Sequence, residues 1–446
     1  MSILIILASL VLGSFCLYFF QKKCSREGYL LFVVYTLPLQ SLGVTPEAFG
    51  SLKVFDVLAY FSFVFFIKDF MLVSKKNRIY SNLFGLLILF LLAGSLNSEF
   101  EKHSLWALLS VFPIFIYSRL LIRELAINPE LQRKMIRGFL IAFFIGAFFM
   151  IMQMFFGIQF TFYQDLNPNI TTDEGIRYPG FFGDAQLNAL FLAMVSFLLL
   201  INNRAINRPN LLNFVLFGIG MTAVLISGGR SAFLGICVGL FFLMIFFGGR
   251  VRSFLLIGAL ACISIIPFLK NSVILIQRLE NIGESYEFRS YIWKEAYEIC
   301  KEHPMLGIGI GNYRDYVGRY SADQYYVLQD NSILLLDQPE SGYLKVATET
   351  GIFGFIIVLL FILVPVGKAI YSQLTGNKNH LSLLFIAAIL CWLVSFNSLY
   401  TLSDRRIVIL LATFVCFVIK PGYAVAAKQE SSGAIDMKYN LPKYSS

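Results

Sequence analysis

The chain has 446 residues, of which 57% are hydrophobic and only 14% are charged, and its formal net charge is +9. A soluble domain averages about 45–50% apolar and about 25% charged residues, so the composition excludes an ordinary soluble protein. The basic residues lie in short connectors between apolar runs, which argues against nucleic-acid binding. We therefore predict a membrane protein whose basic residues reflect its topology.

Roughly thirteen apolar runs of about 13–22 residues recur along the chain, and most can cross a bilayer core once their flanks are counted. They are solid runs rather than alternating segments of about ten residues, which argues against a β-barrel. We predict an all-α, polytopic transmembrane helical bundle of about 12–14 spans. The runs are Ile3–Phe20, Tyr29–Leu42, Val54–Val73, Asn82–Leu96, Leu105–Ile122, Phe139–Phe160, Gln186–Ile201, Leu211–Ile226, Ala232–Phe247, Phe254–Leu269, Ile352–Val366, Leu381–Tyr400 and Ile407–Ile419.

One long polar loop, residues 271–341, interrupts the apolar runs. Asn271–Glu340 contains 11 acidic and 6 basic residues. Most connections are only about 4–6 residues long, so we predict that this loop covers a reaction centre walled by the ends of the spans. Residues 1–420 are predicted to form a single polytopic membrane domain that includes this helical loop. Residues 421–446 have few large apolar side chains and are predicted to be a disordered cytoplasmic tail.

Lysine and arginine predict the orientation, because cytoplasmic loops of membrane proteins are enriched in both. Alternate loops, such as those containing Lys75, Arg137 and Arg250, are basic, and the intervening loops are poor in these residues. The exception is the pair Arg405 and Arg406, in a turn on the other side. The acidic loop is thus predicted to face the periplasm or the exterior.

Three arginines on the predicted outer side are candidates for binding phosphate: Arg177, Arg230 and Arg289. A guanidinium stays charged and binds phosphate bidentately, so several of them from different loops would form a pyrophosphate clamp. Each has a structural alternative. Arg289 is four residues before Trp293 and could stack on it, and Arg230 could extend to the membrane interface. Arg230 is the strongest candidate because two glycines precede it.

Residues 339–354 predict a short helix on the membrane surface that ends at Gly351, before the next span. Glu340, at its start, is a candidate general base for a hydroxyl group, and the alternative is an acid that complements the helix dipole. The glycine-rich segment His303–Tyr313 looks like a phosphate loop. It follows a helix outside the cytoplasm, however, and is better interpreted as a turn.

No metal site is predicted, because the three histidines are far apart in sequence and no Asp-rich cluster or Cys/His spacing occurs.

Taken together, these segments resemble the O-antigen polymerase and O-antigen ligase superfamily. The segments that carry the resemblance are Arg177-x-x-Gly180, Ser-Gly-Gly-Arg230-Ser-Ala, Arg289-x-x-x-Trp293, Pro304-x-x-Gly307-x-Gly309-x-Gly311-Asn312 and Glu349-Thr-Gly351-Ile-Phe-Gly354. The resemblance implies a GT-C-like glycosyltransferase of a bacterial inner (plasma) membrane. Such an enzyme transfers an undecaprenyl-pyrophosphate-linked glycan to an acceptor glycan, with inversion and without a metal or other cofactor.

The resemblance also implies roles for individual residues. Arg230 and Arg289 would hold the pyrophosphate with help from Arg177, and Glu340 would take the base role. The residues expected to contact substrate are Trp293, Asn312, Tyr313 and Tyr343. A chain-length regulator and a flippase of the same pathway are implied partners, besides the lipid bilayer.

The sequence departs from the family pattern at one informative place. Many members, ligases especially, have a His-Asn or His-Ser pair where this chain has Glu340-Ser341. This difference favours a polymerase of repeat units, making O-antigen or capsular polysaccharide. One alternative is a ligase that moves finished glycan onto lipid A core or another acceptor. Another is a polysaccharide or lipid transporter, although the two related halves typical of transporters are not evident.

Overall fold

The computed structural model describes residues 25–44, 52–71, 78–161, 171–172, 175–201, 211–247, 252–253, 282–321, 325–327, 333–335, 338–376 and 379–420. The predicted spans Ile3–Phe20 and Phe254–Leu269 and the predicted tail 421–446 lie outside the described residues. The number of spans and the domain boundaries therefore stay predictions.

Helices make up most of the described chain. Those before the long polar loop are α1 (Arg26–Tyr35), α2 (Val54–Phe65), α3 (Ile67–Met71), α4 (Arg78–Leu96), α5 (Glu101–Leu109), α6 (Phe112–Ile127), α7 (Glu130–Phe156), α8 (Ala185–Leu199), α9 (Leu211–Ser227) and α10 (Arg230–Phe246). Those in the loop and after it are α11 (Ile282–Glu302), α12 (Tyr313–Tyr320), α13 (Gly342–Leu374), α14 (His380–Phe396) and α15 (Arg405–Ile419). The described remainder includes a short 3₁₀ turn, Leu37–Leu39, and two small antiparallel hairpins, β1 (Thr171–Thr172) with β2 (Gly175–Ile176) and β3 (Tyr325–Val327) with β4 (Ile333–Leu335).

Within the described chain, four helical stretches are long and apolar enough to cross a membrane: α4, the nearly continuous α5–α6, α7 and α13. Shorter apolar helices accompany them, namely α2, α8, α9, α10 and α14. A helix of 15–17 residues is about 23–26 Å long, which covers most of the roughly 30 Å hydrocarbon core. The predicted fold class, an all-α polytopic membrane protein, is confirmed.

Several helix boundaries differ from the predicted runs. The run Tyr29–Leu42 is a ten-residue helix followed by the 3₁₀ turn that contains Pro38, because proline lacks the N–H that a continuing α-helix needs. The run Leu105–Ile122 is divided between α5 and α6 just before Pro113. The run Ile352–Val366 is only the middle of α13, which has 33 residues. The helix therefore extends at both ends into segments that were predicted to be connectors.

Helices α8 and α14 form the centre of the bundle, and nearly all of their side chains are buried. Helix α10 packs closely against both because it presents glycines to them. A Cβ added at Gly235 would lie 2.7 Å from the carbonyl oxygen of Cys391, and one added at Gly239 would lie 2.9 Å from that of Ala387. Helices that are apolar on every side and joined through small residues are typical of membrane bundles.

Ion pairs join the first helices at the end predicted to be cytoplasmic. Arg26 contacts Asp69 at 2.8 Å and Glu124 at 3.0 Å, and Arg123 contacts the same Asp69 at 2.8 Å. These contacts connect α1, the short helix α3 and α6. Asp69 is therefore already balanced by two cations.

The described part of the long polar loop has a small core of its own. Ile292, Ala296 and Ile299 of α11 pack with Tyr313 and Val317 of α12. This core packs α11 and α12 together, which is more structure than a simple connector needs.

The glycine-rich segment docks this loop onto a break in α13. Gly351 has φ +66° and ψ −178°, which interrupts the helix where the sequence predicted its first part to end. Ile308 N–H donates to the Thr348 carbonyl at 2.9 Å, and Ile352 N–H donates to that of Pro304 at 2.9 Å. The glycines lie in turns that follow the end of α11 at Glu302, as the sequence predicted, and the backbone of this segment contacts α13.

Candidate active site

The clearest feature of the candidate site is an ion pair between two residues predicted to be catalytic. Arg289 Nη2 of α11 lies 3.6 Å from Glu340 Oε2, in the connector before α13. Their side chains are 24% and 34% exposed, so both remain accessible to solvent. The fold thus brings together a cation and a carboxylate that are 51 residues apart in sequence.

Glu340 is held in an unusual backbone conformation. Its φ is +48°, and among the described residues no other non-glycine residue has a positive φ. Such conformations cost about 1–3 kcal/mol and cluster at active sites. Ser341, rather than Glu340, is the N-cap of α13, and its hydroxyl accepts from Leu344 N–H at 3.4 Å. The sequence did not single out Ser341, although a serine preceding a helix by one residue is a recognisable cap signal.

Arg230 is the first residue of α10 and is half-buried. The turn before it requires glycine, because Gly228 has φ +71° and a Cβ added at Gly229 would lie 2.3 Å from the Cβ of Ala189. This close approach places the start of α10 against the first turns of α8.

The last two turns of α14 contact both the helix that begins at Arg230 and the helix that follows Glu340. Cys391 Sγ contacts the carbonyl oxygen of Ala232, in the first turn of α10, at 3.7 Å. The Tyr343 hydroxyl, in the first turn of α13, donates to the Leu393 carbonyl at 2.7 Å. The starts of α10 and α13 therefore flank the same end of α14, which places Arg230 and the ion pair at one end of the bundle.

Arg177 lies at the start of the loop before α8 and is only 1% exposed. The loop is fixed by the side chain of Gln153, which accepts from Gly180 N–H at 2.9 Å and donates to the Gly180 carbonyl at 2.8 Å. Arg177 is thus buried beside a loop that Gln153 holds in place. Its role in binding pyrophosphate stays a prediction.

The other predicted substrate-binding residues have different degrees of access. Trp293 is half-buried on α11, one turn after Arg289. Asn312 and Tyr313 are fully buried, and the Asn312 side-chain amide donates to Ser98 Oγ at 2.7 Å. Tyr343 is half-buried and bonded to α14 as described above. Trp293 is thus more accessible than Asn312 and Tyr313. The roles of all four residues toward substrate stay predictions.

Arg405 and Arg406, the exception in the predicted charge pattern, are almost completely buried. Arg406 Nη1 donates to the Phe181 carbonyl at 2.9 Å, its guanidinium carbon lies 4.0 Å from the centroid of the Phe182 ring, and it pairs with Asp404. Burial raises the pKa of Asp404, but the charge and hydrogen bonds of Arg406 outweigh this effect and hold the pKa below its usual value.

These two arginines, predicted to lie in a turn, are the first residues of α15, and their contacts explain why the charge pattern has an exception here. Arg405 Nε lies 2.8 Å from Asp56 Oδ1, so each arginine has its own carboxylate. Buried charges are tolerated only when they are paired. One of these pairs has a recognisable sequence signal, since Asp404 closely precedes an apolar run and acts as the N-cap of α15.

Arginines near an accessible carboxylate can support a reaction in which a group is transferred from an anionic leaving group to a hydroxyl. The guanidinium groups can stabilise charge that grows on a departing diphosphate, and the carboxylate can accept the proton of an attacking hydroxyl. Within the part of the chain that the structure describes, no group of three or more His, Cys, Asp or Glu residues is placed to hold a metal ion. Metal independence stays a prediction.

Comparison with known families supports the resemblance noted in the sequence. A family model described as O-antigen ligase matches residues 214–359. The matched segment contains Arg230, Arg289 and Glu340, and Arg177 precedes it. The resemblance to the O-antigen polymerase and ligase superfamily is confirmed by this match. A search of curated proteins finds no match.

Proposed function

We propose that this membrane protein is a glycosyltransferase that polymerises lipid-linked oligosaccharide repeat units; the match of residues 214–359 to an O-antigen ligase family supports the reaction class. Its donor is a glycan on undecaprenyl pyrophosphate, and its acceptor is a sugar hydroxyl of a second glycan. The product is O-antigen or capsular polysaccharide, made at the outer leaflet of a bacterial inner (plasma) membrane.

In the proposed reaction, the acceptor hydroxyl oxygen forms a bond to the anomeric carbon while the bond from that carbon to the pyrophosphate oxygen breaks. Glu340 takes the hydroxyl proton, and undecaprenyl pyrophosphate leaves with the electron pair. Arg230 and Arg289 stabilise the charge that develops on the leaving oxygen. Attack opposite the leaving group inverts the anomeric configuration. Pyrophosphate is a good leaving group, so fixed cations provide most of the required stabilisation.

The ion pair between Arg289 and Glu340 is the observation that carries this proposal. The two groups lie 3.6 Å apart, close enough to neutralise each other. A pyrophosphate that binds Arg289 would compete with Glu340 for the guanidinium, which leaves the carboxylate available to the acceptor. Donor binding would thereby prepare the base. The two exposed fractions, 24% and 34%, are consistent with access by substrate.

A ligase is the second candidate, and the description of the matching family favours it. Glu340-Ser341 occupies the place where ligases especially have a histidine pair, which favours the polymerase. The two activities give different products in a strain that lacks the gene. Loss of a polymerase leaves surface lipopolysaccharide capped with a single repeat unit. Loss of a ligase leaves it uncapped, and lipid-linked polymer accumulates.

Variants of the two proposed clamp residues test the site in that strain. Arg230→Ala and Arg289→Ala should each reduce polymer formation about 10²–10³-fold, because each removes a cation from a developing charge. Lysine at either position should restore little activity, since it lacks the bidentate fork.

The matched control is Arg314→Ala, which removes an exposed arginine from α12 in the same loop. It should leave polymer formation near the wild-type level. Immunoblots of membrane fractions check that all variants are inserted. Full-length polymer from both clamp variants would mean that the clamp assignment is wrong.

A further inference from the structure

A cavity of about 590 Å³ lies between α4, α6, α13 and α15, and neither Arg230 nor Arg289 lines it. Its walls are mostly apolar, with side chains such as Phe84, Leu91, Phe361 and Leu411. Along α15 it is lined from Arg405 to Lys420, fifteen residues apart, or about 22 Å of helix. The cavity therefore runs through most of the hydrocarbon thickness of a bilayer, which is about 30 Å.

The end of the cavity that is predicted to be cytoplasmic is basic. Among the described residues, Arg119, Arg123 and Lys420 supply three cations there, and Asp69 supplies one carboxylate. Asp69 already pairs with Arg123 and with Arg26. A net positive charge therefore remains at this end.

Arg119 is placed to receive an anionic ligand. One of its Nη atoms donates to Ser81 Oγ at 3.0 Å, and the guanidinium carbon lies 4.6 Å from the centroid of the Phe70 ring. None of the ion pairs found among the described residues involves Arg119. A guanidinium has five N–H donors, so most of those on Arg119 can serve a phosphate.

The opposite end of the cavity does not suit an anion. There the lining includes Glu349 and Arg405. Arg405 is neutralised by Asp56, and Glu349 accepts a hydrogen bond from Tyr313 N–H at 3.4 Å. A phosphate at that end would meet a carboxylate rather than an available cation, so the charges favour a single orientation of an amphipathic ligand.

We propose that this cavity binds an anionic phospholipid of the inner leaflet. The lipid phosphate lies on Arg119 and Lys420, and an acyl chain extends along the apolar walls toward Val358 and Ile362 of α13. Basic pockets between transmembrane helices on the cytoplasmic side are suited to anionic head groups. The bound lipid would connect α15 to α4 and α6, and Arg230 and Arg289 are not among the residues that line the site.

The test is native mass spectrometry of the purified full-length protein in mild detergent. The probes are phosphatidylglycerol and phosphatidylcholine with identical acyl chains. The wild type should prefer phosphatidylglycerol, and Arg119→Gln and Lys420→Gln should each weaken its binding about fivefold, as expected for one basic contact near an anionic head group. Arg137→Gln, at an exposed position of α7 outside the cavity, is the matched control and should bind like the wild type.

A second variant tests the apolar walls. Ala412→Phe fills the cavity from α15 and should reduce retention of both lipids, with size-exclusion profiles showing that the protein remains folded. Equal binding of the two lipids by the wild type would overturn the proposal, as would unchanged binding in all cavity variants. Displacement of the bound lipid by undecaprenyl pyrophosphate would also overturn it and would assign the cavity to the glycan donor.

Discussion

At the scale of single residues, Glu340 combines two features that seldom occur together. It has a left-handed backbone conformation, which non-glycine residues seldom adopt, and its carboxylate faces a guanidinium at 3.6 Å. Glycine would adopt this conformation without strain, so stability alone does not account for a glutamate there. We therefore propose that the carboxylate has a role in the reaction.

Replacing Glu340 by glutamine keeps the size of the side chain but removes its ability to accept a proton. We expect Glu340→Gln to lower glycan transfer about 10²–10⁴-fold, the usual contribution of a general base, while donor binding is retained. The measurement is single-turnover transfer by purified protein with lipid-linked donor. Glu298→Gln, an exposed glutamate paired with Lys301 on α11, is the matched control. Unchanged turnover of Glu340→Gln would reduce its role to a structural one.

The sequence indicated which residue types the site needs but not how they meet. Arg230, Arg289 and Glu340 were all identifiable, because arginines and an acid on the outer side of a membrane protein suggest anion chemistry. The pairing of Arg289 with Glu340 depends on the packing of α11 against α13, which is a property of tertiary structure. The pair of Arg405 could not be foreseen for the same reason, since its partner Asp56 is far away in sequence.

At the scale of elements, α13 is divided into two functional parts by Gly351. The first part carries the start of the helix next to Glu340 and receives the glycine-rich turn, and the second part is long and apolar enough to span the membrane. The sequence predicted this break, because the glycine precedes an apolar run. It did not predict that the backbone of Met305 and Leu306 would pack directly onto it.

Substitution at Gly351 should therefore be costly. A Cβ there would lie 2.2 Å from the Met305 carbonyl oxygen, and φ is +66°, so we expect Gly351→Ala to lower the free energy of unfolding by at least about 1–3 kcal/mol. Gly367→Ala is the matched control in the same helix, where an added Cβ has no neighbour within 4 Å among the described residues. Thermal unfolding in detergent compares them. Equal melting temperatures would contradict the packing at the break.

At the scale of the whole molecule, charge predicts orientation. The basic connectors and the basic end of the cavity are predicted to face the cytoplasm, and the long loop with Arg289 is predicted to face the other side. The fold class and the orientation could be predicted from hydropathy and charge, because these properties depend on composition rather than on packing. The cavity between α4, α6, α13 and α15 was not predictable, since it depends on how four separate helices leave space between them.

Labelling of cysteines introduced one at a time tests this orientation. In intact inner-membrane vesicles of known sidedness, a membrane-impermeant maleimide applied from the outer face should modify Glu298→Cys on α11 but not Arg137→Cys on α7. Both positions are exposed in the structure. The unmodified protein measures the background from its native cysteines. Labelling with the opposite preference would reverse the predicted topology and would place the proposed site on the wrong side for the donor.

The central claim is that the outer end of this bundle catalyses glycan transfer from lipid pyrophosphate. The most direct measurement is incubation of purified protein with a defined undecaprenyl-pyrophosphate-linked repeat unit, without nucleotide or ion gradient. We expect a ladder of lipid-linked oligomers from the wild type and from Arg314→Ala, and almost none from Arg289→Ala. Absence of any new glycan with active donor, or an unchanged ladder from Arg289→Ala, would contradict the account.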